Sequence, residues 1–64
     1  MSKTGVVVDL LGEDGNAFAI MGRVRKAMRR AGVENDVIEA YTKEATAGDY
    51  DHLLRVTMDY VEVE

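Results

Sequence analysis

Two glycines, Gly32 and Gly48, constrain this chain more than any other feature. Each follows a segment whose apolar residues recur at helical spacing, and no proline breaks any of those segments. The chain therefore reads as three helices cut by two glycine stops. Residues 17–31 form the clearest helix. At about 100° per residue, Ala17, Ile20, Met21, Val24, Ala27, Met28 and Ala31 fall within an arc of roughly 120°. Asn16 suits the N-cap, with Asp14 the competing choice. Gly32 suits the left-handed position after the helix, with Val33 folding back as its apolar contact.

Asn35 is placed to cap a second helix over about residues 36–46, with Val37, Ile38, Tyr41 and Ala45 as its stripe. Glu39 and Lys43 form an i,i+4 pair on its outer side. Asp49 caps the third helix, residues 50–60. There Tyr50, Leu53, Leu54, Val56, Thr57, Met58, Tyr60 and Val61 span roughly 200°. So wide an apolar arc predicts a central element or the seam of an oligomer.

Residues 5–11 are β-branched and aliphatic and read as a strand. Val6, Val8 and Leu10 share one face; Val7, Asp9 and Leu11 share the other. Both faces are largely apolar, which predicts cover on each. Gly12-Glu13-Asp14-Gly15 turns the chain. Residues 61–64 alternate with period two, so a short C-terminal strand pairing with the first, and continued helix, are the two open readings. The fold class expected is α+β: an N-terminal strand, three helices with the third central, and a small antiparallel sheet if the C-terminal strand forms.

At 64 residues this is one small domain. A domain this short buries too small a fraction of its surface to be more than marginally stable. There is no cysteine to supply a disulfide or a thiolate metal site. A second subunit is the remaining common support, so a homodimer is expected. Its expected contacts are the strand edges and the surplus apolar face of the third helix, with Phe18, Leu53, Val56 and Tyr60 as candidate interface residues. Phe18 is out of phase on the first helix. It is either a core residue under the first strand or an exposed anchor.

Charge is segregated. Residues 17–32 hold five bases and no acid, whereas residues 33–64 hold nine acids and two bases. Arg23, Arg25, Lys26, Arg29 and Arg30 lie opposite the apolar stripe of the first helix. They are candidate ligands for phosphate or for an acidic protein surface. The bland alternative is a solvated face, or one neutralised by the acidic helices. Against nucleic acid stands the net charge of −4. The second and third helices have the outline of a helix-turn-helix, but Asp49 and Asp51 at the start of its recognition helix would repel phosphates.

Other chemistry finds little support. Gly12, Gly15 and Gly22 match neither a dinucleotide fingerprint nor a P-loop. Asp9, Glu13 and Asp14 match no calcium loop. His52, the single histidine, shares one turn with Asp49 and Asp51 without an evident convergence point. No catalytic, metal or cofactor residue is assigned, and a non-enzymatic accessory or interaction module is expected. Nucleic-acid association through the first helix is the alternative. No apolar run, neither Val6-Val7-Val8 nor Ala17-Phe18-Ala19-Ile20-Met21, is long enough to span a membrane, and Lys3 is followed by no secretory core.

The stretches Asp14-Gly15-Asn16-Ala17-Phe18 with Ile20-Met21-Gly22, and Glu44-Ala45-Thr46-Ala47-Gly48-Asp49-Tyr50-Asp51-His52-Leu53-Leu54, resemble a family of short uncharacterised bacterial and phage proteins. The resemblance runs from about Leu10 to Val63. It implies a prokaryotic or phage-infected cytoplasm and carries over no functional residue.

Overall fold

The computed structural model describes residues 2–10 and 16–64. The turn expected at residues 12–15, Leu11, and the candidate acids Glu13 and Asp14 lie outside the described residues. Element order is β1 (Val6–Val8), α1 (Ala17–Arg30), α2 (Asn35–Ala45), α3 (Tyr50–Tyr60) and β2 (Val61–Val63). This is a mixed α+β domain with extents of 27 × 23 × 20 Å.

The helix ends follow local chemistry. The Asn16 side chain accepts from the Ala19 N–H at 3.0 Å, and Asp49 accepts from the His52 N–H at 2.9 Å. Each satisfies one orphan donor of its helix. Gly32 sits at φ +84°, and the Val33 N–H returns to the Met28 carbonyl at 3.0 Å, which closes α1 as expected. Asn35 differs from its expected role: Glu34 holds the cap position, and Asn35 is the first helical residue, donating to Glu39 at 2.6 Å.

β1 and β2 form a two-stranded parallel sheet, with Val6 opposite Val61 and Val8 opposite Val63. The antiparallel sheet expected from the sequence is corrected here. An antiparallel neighbour is easily made by a hairpin, but three helices separate these strands, and a long helical crossover is the connection that returns a strand parallel. The chain then continues to tie this corner. The Lys3 and Thr4 N–H groups donate to the Asp59 and Tyr60 carbonyls at 2.7 and 3.1 Å. Those carbonyls are among the last of α3, which has no partner for them inside the helix. The Thr4 hydroxyl also donates to the Tyr60 carbonyl, and the Lys3 ammonium lies 4.6 Å from the Tyr60 ring centroid. α3 has no base in its own last turn, so Lys3 supplies the cation that suits that end of the helix dipole.

The core draws on every element: Val8, Ile20, Met21, Val24, Met28, Ile38, Tyr41, Ala45, Leu53, Val56, Tyr60 and Val61 are buried. The Tyr41 and Tyr60 rings meet edge-on at 5.4 Å. The Tyr41 and Thr57 hydroxyls bond each other at 2.8 Å, so both buried hydroxyls are satisfied.

Three expectations change. Leu53, Val56 and Tyr60 are buried in the subunit's own core, which leaves Phe18 as the exposed one of the four candidate interface residues. α3 is one wall of a shared core rather than an element covered all round, since Met58 is 59% exposed and Tyr50 is exposed at its first turn. The sheet is covered on its Val8 face only, because Val7 is 54% exposed and Asp9 is exposed. With two strands and one helical layer, none of the described residues covers the other face.

Candidate functional site

The five bases of α1 do not act as one face. Arg23, Lys26 and Arg30 stand at i, i+3 and i+7 and line an open groove of about 490 Å³, floored by Ala19, Gly22 and Ala27. The Arg23 guanidinium donates to the Asp9 carbonyl at 3.1 Å, which orients it across the groove edge. Lys26, Arg29 and Arg30 are exposed and, among the described residues, meet no carboxylate at ion-pair distance. Neutralisation by the protein's own acidic helices, one expectation above, therefore does not extend to these three. Arg29 stands on the flank toward Phe18.

Arg25 is different. It is half-buried against α2, in a hollow shared with Glu39, Thr42 and Lys43. Its Nε is buried with no hydrogen-bond partner among the described residues. An unmet buried donor is costly, of the order of 1–3 kcal/mol.

Phe18 resolves its two readings. It is 84% exposed, so it is not a core residue under β1. It stands at the rim of a mainly apolar groove of about 250 Å³ between the start of α1 and the α2–α3 junction. Leu53 and Met21 form the base of that groove, with Ala45, Gly48 and Tyr50 along its sides. Sequence reasoning missed the far wall. At Gly48 a Cβ would stand 2.7 Å from the His52 ring, so that wall has no room for a side chain. Gly22 was also passed over. It is mid-helix on the polar side, and a Cβ would meet nothing within 4 Å. Glycine there costs about 1 kcal/mol in helix propensity and gains no packing within the subunit.

The acid–base candidates are spent on structure. Asp49 caps α3, and the His52 Nε2 bonds the Glu44 carbonyl at 2.9 Å, at the end of α2. Because a carbonyl only accepts, that nitrogen carries the proton. The Tyr60 hydroxyl donates to the Glu44 carboxylate; this bond, with burial and the nearby negative charges, pushes its pKa up to about 12. Burial also raises the Tyr41 pKa, partly offset by Thr57. Among the described residues no group of three or more His, Asp or Glu side chains is placed to hold a metal ion, and no helix is long and apolar enough to cross a membrane. The chain matches no family model, no curated protein and no solved structure.

Proposed function

We propose that this protein is a non-enzymatic interaction module that acts as a homodimer, paired along the α1–α2 seam through Phe18. The observation that carries this reading is the 84% exposed Phe18 beside an apolar recess on the same surface. A projection and a recess side by side form a self-complementary patch. Under a two-fold axis, the Phe18 ring of each copy enters the recess of the other, which is an isologous contact and closes at two chains.

Charge along the seam agrees. Its Phe18 end carries Asp49, and its other end carries Arg25 and Lys43 with one acid, Glu39, among them. An antiparallel pairing sets Asp49 of one copy toward the cations Arg25 and Lys43 of the next. A standard interface takes about 800 Å² from each partner, roughly a fifth of the 4306 Å² surface, so both helices of the seam must contribute. The groups that invited a catalytic reading are engaged at helix ends, which supports a binding role over a reaction.

Light scattering at micromolar concentration tests this. The wild type is expected at the mass of two chains, and Phe18→Asp at the mass of one with its helicity kept. A wild type of single-chain mass contradicts the proposal.

A further inference from the structure

We infer that the outward face of α1 is a docking path for the phosphate backbone of nucleic acid, with Arg23, Lys26 and Arg30 as its contacts. This inference does not rest on pairing. At about 100° per residue the groove's cations stand roughly 80–140° round the helix from Phe18, so they stay open whether the protein is one chain or two.

Spacing supports it first. At about 1.5 Å per residue, Arg23 to Arg30 spans about 10 Å of helix. Duplex DNA presents a phosphate about every 3.4 Å of axis on each strand, so three cations on flexible stems meet about three phosphates. Two of the three are arginines, whose planar forks suit phosphate oxygens. Arg23 is already aimed by the Asp9 carbonyl.

The floor supports it next. Ala19, Gly22 and Ala27 leave the helix backbone approachable between the cations. Gly22 has open space around it and weakens the helix in the isolated chain, which is the pattern of a position kept small for something outside the chain. The lining also separates two classes of acidic ligand. A protein partner binds through buried aromatic or aliphatic anchors, and this groove offers no side chain larger than alanine apart from its cations. A sugar–phosphate chain needs no such anchor.

The net charge of −4 is a weak objection once the charges have positions. At physiological salt the Debye length is about 8 Å, and the molecule is 20–27 Å across. Acids on its far side are screened from a strand lying on α1, so the local cluster governs contact.

The test is fluorescence anisotropy with a short labelled DNA duplex, the matching single strand, and polyglutamate as the acidic-protein control. Wild type is expected to bind the duplex with log K falling against log salt at a slope of about −2.7, or about 40-fold between about 50 and 200 mM. Arg23→Gln, Lys26→Gln and Arg30→Gln should each flatten that slope by about 1. Arg55→Gln, outside the groove, should leave it unchanged. Gly22→Leu keeps every charge but fills the floor, and is expected to weaken binding about tenfold, or one decade of K. Tighter binding of the single strand supports the same contacts with a more flexible backbone. Absence of binding at low salt, a slope untouched by the three substitutions, undiminished binding by Gly22→Leu, or polyglutamate bound as tightly as DNA would each overturn the inference.

Discussion

α1 and α3 begin alike and end differently. Each opens with a side-chain N-cap, Asn16 or Asp49, and each buries one apolar stripe in the same core. The end carbonyls of α3 and the hydroxyls of Thr57 and Tyr60 are then taken up inside the molecule, while Asp51, Arg55 and Asp59 stay exposed. Its last carbonyls are taken by Lys3 and Thr4, Thr57 bonds Tyr41, and Tyr60 bonds Glu44. Most of the outer side of α1 stays turned to solvent: Phe18 is exposed, Gly22 is unpacked, and Lys26, Arg29 and Arg30 are exposed. The contrast separates a helix whose polar groups are partly used inside the domain from a helix whose outer face stays open.

The sharpest break between the two is a pair of truncations. Leu53→Ala in α3 should cost about 2–5 kcal/mol in urea unfolding, because it opens a cavity in the shared core. Phe18→Ala in α1 should change the stability of the isolated subunit by less than about 0.5 kcal/mol, as an exposed side chain does. Equal costs would erase the distinction. The two glycines sharpen it with opposite signs. Gly48→Ala places a Cβ against the His52 ring and should destabilise by about 1–3 kcal/mol, with part recovered when His52→Ala is added. Gly22→Ala should stabilise by up to about 1 kcal/mol, seen as a higher Tm.

The polar groups buried against α3 give a third comparison. Thr57→Val leaves the Tyr41 hydroxyl without its partner and should cost about 1–3 kcal/mol. The double change with Tyr41→Phe should cost less than the sum of the two single changes, because it removes both polar groups together. The smallest effect concerns Tyr60. Its folded pKa, about 12, lies above the ordinary value of 10, so its bond to Glu44 stabilises fully below pH 10. That contribution, about 1 kcal/mol beside an exposed carboxylate, is lost as pH rises through about 12. Ultraviolet titration of tyrosinate should show the high midpoint in the wild type. Glu44→Gln should move that midpoint back toward 10, and Tyr60→Phe should abolish it.

Much of the fold was legible because its signals are local. Asn16, Asp49 and Gly32 mark helix ends by chemistry confined to one turn, and the stripe of α1 needs only its periodicity. What failed was non-local. Strand direction depends on a crossover, so alternation at 61–64 allowed a strand paired with the first, beside continued helix, but could not show that the pairing is parallel. The apolar arc of α3 could not show that its width is shared between core and surface, which is how Leu53, Val56 and Tyr60 came to look like an interface. The basic run was plain, yet its division into a groove, a half-buried Arg25 and a flanking Arg29 depends on where α2 lies. Phe18 was conspicuous as an out-of-phase aromatic, but the recess beside it is built from three elements.

The proposed pairing through Phe18 is tested most directly by amide chemical shifts followed on dilution from millimolar to micromolar concentration. Pairing along the seam predicts that concentration-dependent shifts gather at Ala17, Phe18, Met21, Thr46, Gly48 and Tyr50, while Val7, Glu62 and Val63 stay still. Shifts centred on the open strand edges, with the Phe18 recess unchanged, would contradict it.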